Sequence, residues 1–341
     1  MMFGAVTVQR EASNELVEKA QLAEEAGFDM LGFGDSQTGF RELYSTLGII
    51  ARETSEIGIG PTVTNAVTRH PVVTASAIST INEVADGRAF LGIGTGDSAV
   101  RTLGKRPSRL TELEDAIRVI STLTAGEVAT YEETDVELRW VRRENLNFDI
   151  PIVMAAEGPK SLRTSGRVAD HVMIGTGLTE GLITESIEAI REGARESGRD
   201  PAEITTWVYA QVSIGDTFEQ AATAIKASLA SGAHHRYSYT LEGKEVPGAY
   251  RDSLKGLVSE YEPKRHVERG ETVNADLIDK YDLLEFLGKR IAIAGPVVSC
   301  IDQLQSLDEI EGLDGILVPT LVVDDEWDLL TQFGDDIMPA V

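Results

Sequence analysis

Cysteine, lysine and long apolar runs are what this chain lacks. Cys300 is its one cysteine, so no intrachain disulfide can form and a reducing compartment, the cytoplasm, is expected. No apolar run approaches the roughly 18 residues of a membrane helix. The opening MMFGAVTVQR has no basic segment leading into an apolar one, so no signal peptide is expected. Nine lysines stand against 22 arginines, and 31 bases against 56 acids, for a formal net charge of −25. Such a surface repels nucleic acid and anionic membranes, which argues against both as partners. The acids are spread along the chain instead of forming a tail. That pattern fits a halophilic protein, whose self-repulsion salt would screen; an acidic protein of a low-salt cell is the alternative.

Several catalytic signatures are missing as well. His70 and His171 are isolated, and His234-His235 has no acid or cysteine at ligand spacing, so no metal site is expected. No G-x-S-x-G elbow and no G-x-x-x-x-G-K-[ST] loop occurs, which weakens hydrolase and NTPase readings.

What is present is rhythm. Over 341 residues, 42% of them hydrophobic, short β-branched runs alternate with amphipathic helical patterns. Strands are expected at 3–8, 28–34, 57–63, 89–93, 151–155, 171–175, 204–214 and 315–321, with helices between most of them. Units of about 30 residues imply parallel βαβ connections, and eight of them without a point of reversal favour a closed (β/α)8 TIM barrel over an open sheet. Two pieces break the rhythm: a small β-hairpin excursion at 127–148, before the fifth strand, and an irregular insertion at 231–290, between the seventh and eighth. The whole chain, 1–341, reads as one barrel domain carrying that insertion. Five of the chain's eight tyrosines fall in the insertion, which reads as a lid over the mouth, an oligomer contact or an extra helical hairpin.

Barrel chemistry sits at the C-terminal ends of the strands, which here carry Asp35, the segment Thr62-Val63-Thr64-Asn65, Gly94-Thr95-Gly96-Asp97, Ala156-Glu157-Gly158 and Gly175-Thr176-Gly177. Glycines 92, 94 and 96 share one face of an extended strand, and their bareness makes room for a flat ring or a phosphate; tight turns are the alternative use. Gly158-Pro159-Lys160 opens a helix whose free amides, with Gly175 to Gly177, suit a phosphate. Asp35 and Asp97 are the carboxylates best placed for catalysis, though Asp97 is also placed to cap the helix after it. Glu157 is placed to bond a ligand or simply to meet solvent. His70, before Pro71, is expected to orient a turn.

The strings IGPTVTNAVTRHP, RHPVVTASAISTINEVADGRAFLGIGTGDS and IPIVMAAEGPKSLRTSGRVADHVMIGTG resemble the bacterial luciferase-like oxidoreductases. The likeness is strongest to their deazaflavin branch, the methylenetetrahydromethanopterin reductases. It implies a TIM barrel that binds coenzyme F420, or FMN as the alternative, in a homo-oligomer (dimer or tetramer) acting on a small-molecule substrate. Implied cofactor contacts are Asp35, Thr62, Val63, Thr64, Asn65, Gly94, Thr95, Gly96, Ala156, Glu157, Gly158, Gly175, Thr176 and Gly177, with a cis peptide at Thr62–Val63. Asp97 matches the branch, whereas Val6 stands where the reductases carry a glutamate and Ser36 where they carry a histidine. The implied activity is hydride transfer to or from a small organic molecule, with a methylenetetrahydropterin or methylenetetrahydrofolate reductase as one form. An FMN-dependent monooxygenase and a non-catalytic flavin-binding relative are the competing readings.

Overall fold

Alternating small and branched residues fold here as parallel strands, buried on both faces. The computed structural model describes residues 1–141, 149–265, 268, 272–320 and 326–341. Its strands are β1 (Met2–Thr7), β2 (Met30–Phe33), β3 (Gly58–Pro61), β4 (Thr64–Asn65), β5 (Leu91–Gly94), β6 (Ala129–Tyr131), β7 (Thr134–Val136), β8 (Ile152–Ala156), β9 (His171–Ile174), β10 (Thr205–Tyr209), β11 (Gln211–Ile214), β12 (Ala292–Gly295) and β13 (Gly315–Pro319). Nine of them pair in the order β3-β2-β1-β13-β10-β9-β8-β5-β4. The two ends of this ladder meet where the Phe90 amide donates to the Ile59 carbonyl at 3.0 Å, which closes the sheet. Since β3 and β4 are halves of one strand broken at 62–63, the nine make eight staves. The expected (β/α)8 barrel is the fold.

Side-chain alternation sorts the barrel into two layers. Val6, Met30, Phe90, Val153, Trp207 and Leu317 fill the interior. Their strand neighbours Ala5, Leu31, Leu91, Ile152, Val208 and Ile316 point outward into the larger core beneath the helices. The helix Pro71–Val84 shows how one sequence writes such an element. Pro71 opens it, the His70 Nδ1 accepts from the Val72 amide at 3.2 Å, and Ala75, Ile78 and Ile81 face inward. It stops at Asp86 and Gly87, whose φ of 51° and 87° no helix can continue.

Two expectations need correction. The irregular piece expected at 231–290 contains helices: Lys226–Tyr237, Arg251–Glu260, Val273–Lys280 and Leu284–Ile291. They build an apolar cluster of their own from Leu229, Ala233, Tyr237, Leu254, Leu257, Ile278 and Leu287. Its first helix has a weak apolar stripe because alanine, glycine and serine form much of the buried face, which hid it from a periodicity reading. The second correction is β12, an unexpected strand that pairs in parallel with β11 and carries the insertion back to the barrel. The expected hairpin is present as β6 and β7, turned by Glu132 and Glu133 at φ 47° and 63°. Residues 142–148 of that excursion lie outside the described residues.

A buried ion pair fastens the closing seam between β1 and β13. Lys19, 1% exposed, donates to Glu326 Oε2 at 2.9 Å, and the hydroxyls of Thr7 and Thr320 donate to the same oxygen at 2.9 and 3.0 Å. Removing one partner of such a pair leaves a charge in a dry site. Lys19→Met should therefore cost about 3–5 kcal/mol in a urea melt, and pairing it with Glu326→Leu should recover most of the loss.

Candidate functional site

The break in the third stave organises the mouth. The Thr62–Val63 peptide is cis, as the family likeness implied. Gly92 and Gly94 lie opposite, yet their bareness does not leave open space. A β-carbon on Gly92 would meet the Pro61 carbonyl oxygen at 2.1 Å, and one on Gly94 would meet Val63 Cγ2 at 3.2 Å. The glycines of this strand thus admit the neighbouring stave's bulge, and Val63 and Ala155 both lie against bare Gly94. Gly96 has φ 93° and serves the turn that follows.

Asp35 ends β2 and supports the same bulge. Its Oδ2 accepts from Thr64 Oγ1 at 2.6 Å and from Arg69 Nη1 at 2.5 Å, with its side chain 2% exposed. Arg69 also reaches Glu42 Oε1 at 2.8 Å and lies over the Tyr44 ring. This carboxylate anchors the segment that forms the bulge. Asn65 does similar work, its Oδ1 accepting from the amides of Val67 and Thr68.

Asp97 occupies the N-cap position of the short helix Ser98–Arg101, but its side chain makes no capping bond. It accepts instead from Arg101 Nε at 2.7 Å, and Arg101 Nη2 donates to the Tyr239 hydroxyl at 2.7 Å. Tyr239 belongs to the insertion, so that piece reaches the mouth.

The insertion makes a second contact that no motif or spacing foretold. His235 Nδ1 lies 2.9 Å from both carboxylate oxygens of Glu157, across 78 positions of chain. Burial pushes the Glu157 carboxyl up, but His235, Arg236 and Lys244 outweigh it and hold the group below the usual carboxylate range. The Glu157 carboxylate in turn raises the His235 imidazole, against burial. The acid partner expected to be missing for His234-His235 is therefore supplied from the end of β8. Glu157 lies across Gly175, where a β-carbon would meet its Cγ at 2.6 Å.

Around this pair stand cations drawn from the insertion. Arg236 and Arg290 are 3% and 7% exposed, and among the described residues the Nε of each has no hydrogen-bond partner. Lys244 donates to the Arg236 carbonyl, and Arg290 to the Lys244 carbonyl. Burial lowers the Lys244 ammonium below its usual range. Unused buried N–H donors beside a single carboxylate make a wall suited to an anion.

The expected phosphate amides are partly occupied. Those of Glu157 and Gly158 donate to Ser161 Oγ at 3.2 and 3.1 Å, ahead of the helix Pro159–Val168. Thr176 pairs its hydroxyl with Ser186 at 3.1 Å, behind the mouth. Among the described residues no group of acids, histidines and cysteines could hold a metal ion. No described helix is long and apolar enough to cross a membrane.

An eight-staved barrel with a broken third stave and its polar groups at the C-terminal mouth is an enzyme scaffold of the TIM class. The sequence pattern of the Luciferase-like monooxygenase family matches residues 2–312, and the chain belongs to that family. It is 32% identical to the 5,10-methylenetetrahydromethanopterin reductase of Methanolobus tindarius over 263 residues, 76% of this chain and 79% of the relative. It is 29% identical to the F420-dependent glucose-6-phosphate dehydrogenase of Nakamurella multipartita over 285 residues, 76% of this chain and 83% of the relative. The solved coenzyme F420-dependent tetrahydromethanopterin reductase of Methanopyrus kandleri superposes with a TM-score of 0.74 at 21% identity, covering 99% of this chain and 98% of that one.

The bulge's packing has a direct test. Gly92→Ala places a β-carbon against backbone, which cannot swing aside as a side chain would. The variant should lose about 1–3 kcal/mol of stability, read as a lower urea midpoint at unchanged slope.

Proposed function

We propose that the chain is a coenzyme F420-dependent oxidoreductase that moves a hydride between the deazaflavin and a small organic substrate. A methylenetetrahydropterin or methylenetetrahydrofolate reductase is the form favoured by its relatives. The observation that carries the reading is the Thr62–Val63 bulge, seated against Gly92 and Gly94, which we take as a floor at the mouth. A planar apolar ring fits that floor, and the unpartnered Nε donors of Arg236 and Arg290 fit an anionic group of the substrate or cofactor bound beside it.

In this reading Val63 backs one ring face, and Thr64, Asn65 and the strand ends Gly94 to Gly96, Ala156 to Gly158 and Gly175 to Gly177 border the cofactor. When bound, the cofactor supplies the hydride-carrying carbon. The chain supplies position, holding substrate at near-attack distance on the open face. Asp97 orients the substrate from the rim, steadied by Arg101. Asp35 acts through the floor it anchors, as a positioning residue. The insertion covers the mouth as a lid and keeps water from the reacting carbon. The reading takes 1–341 as one barrel domain with 231–290 as that lid, in a cytoplasmic homo-oligomer.

The spectrum and mass of the cofactor retained on purification test the central claim. A deazaflavin supports it; flavin bands would favour an FMN-dependent monooxygenase instead. Asp97→Asn should lower kcat about 10–100-fold with little change in cofactor affinity, and wild-type kinetics would remove Asp97 from the site. We also assign the net charge of −25 to life in high salt. Raising NaCl from about 0.1 M to about 2 M should then raise the melting temperature by roughly 5 °C or more; a flat or falling curve would mark a low-salt protein.

A further inference from the structure

Reduction of a methylene bridge held between two nitrogens opens one carbon–nitrogen bond, and the released nitrogen needs a proton. Asp97 is committed to Arg101, a permanent cation. Asp35 is closed off beneath Arg69 and Thr64. Val6 brings no titratable group to the floor. The Glu157–His235 pair has a different character. Its imidazole is half exposed, its Nδ1 is held by the carboxylate, and its Nε2 has no hydrogen-bond partner among the described residues. Glu157 follows Ala155 by two residues on β8's course, so it stands about 7 Å beyond the floor on the same face. Its side chain crosses bare Gly175 toward the barrel axis.

We infer that His235 is the proton donor and acceptor of the reaction, oriented by Glu157 and carried to the mouth on the insertion helix Lys226–Tyr237. The inference rests on the proposed function, which supplies the reduced deazaflavin as reductant. His235 Nε2 gives its proton to one nitrogen of the methylene bridge as the bond from that nitrogen to the bridging carbon breaks; the iminium carbon left on the other nitrogen gains the hydride with its two electrons, and the π pair returns to that nitrogen. The imidazolium becomes neutral imidazole, with its Nδ1–H still on Glu157, and recovers a proton from water at its exposed edge. In the reverse direction the neutral ring accepts that proton.

The groups facing the ring set its pH range. Glu157 and Asp97, from two strand ends, favour the charged imidazole, whereas Arg236 on its own helix opposes it. His234 beside it is lowered, chiefly by burial and further by His235 and Arg101, against Asp97. The ion pair contributes fully above the ordinary carboxyl value of 4.5 and below the ordinary imidazole value of 6.5. Its contribution fades as acid protonates Glu157 at one end and as rising pH deprotonates His235 at the other.

The test uses the full chain with reduced F420 and two probes, 5,10-methylenetetrahydromethanopterin and 5,10-methylenetetrahydrofolate. His235→Ala should lower kcat about 100-fold or more, while cofactor affinity and KM stay within about twofold. Added imidazole should restore turnover saturably, which a structural role would not permit. Glu157→Gln should move the alkaline limb of the kcat profile to lower pH. It should also lower the titration midpoint of His235 followed by NMR in the cofactor-free protein, a readout independent of turnover. His235→Gln, closer in size and polarity, guards against loss of folding. Unaltered turnover in both His235 variants, with cofactor bound, would overturn the inference alone. A wild-type chain that binds no deazaflavin would overturn the functional reading and this inference with it.

Discussion

The close approach of the Pro61 carbonyl to bare Gly92 is the contact on which the mouth depends. A carbonyl oxygen that would sit 2.1 Å from any β-carbon at that position tolerates no side chain there. Because it fits, the third stave can break inward, Val63 can enter the interior beside Gly94, and Thr62 can lie over Gly32. Thr64 and Arg69 then reach Asp35 from opposite sides. Steric permission on one stave thus becomes a fixed floor on the next, and a charge pair locks it where a loop would otherwise be free to shift.

Electrostatics at the mouth run against those of the whole chain. A molecule with a net charge of −25 gathers Arg236 and Lys244, both less than 9% exposed, beside one carboxylate, with Arg290 bonded to the Lys244 carbonyl. Desolvation makes this costly unless an anion completes the site. Salt strengthens the logic. Exposed acids are screened within about 3 Å at 1 M ionic strength, whereas buried donors are screened much less. The surface repulsion would fade in brine while attraction at the mouth persists.

The barrel was legible in the sequence because its signals are local. Each stave carries its own apolar run, and Pro71, Gly27 and Gly87 mark where helices begin and end. Each of the eight staves falls within or beside an expected strand, but the third is broken at 62–63 and the seventh, expected over 204–214, leaves the barrel after Tyr209, its second half pairing with β12. The insertion was not legible, since its first helix buries alanine, glycine and serine instead of a strong apolar stripe. Strand-end positions were readable; what each residue does there was not. Gly92 read as space for a ligand and Gly175 as an amide for a phosphate, yet their bareness admits Pro61 and Glu157. Asp97 read as a catalytic carboxylate or a helix cap, and its side chain makes no capping bond but pairs with Arg101. The Glu157–His235 contact joins residues 78 apart, and no spacing rule links two elements that meet only after the chain has closed its barrel.

The way the insertion is held couples access to chemistry. Its apolar residues pack mainly on one another and on β12, while its contacts with the mouth are polar: Tyr239 on Arg101, His235 on Glu157, and Glu245 on Thr179. Polar ties of this kind are individually modest because water competes for both partners. A cover fastened by them can open without disturbing a core, and a ligand beneath it can replace them group for group. The two ring nitrogens then have separate duties. Through Nδ1, His235 helps to hold the cover down, and the same bond fixes the proton that leaves Nε2 free to act. Closing the site and setting its proton donor are in this arrangement one event, governed by the same carboxylate.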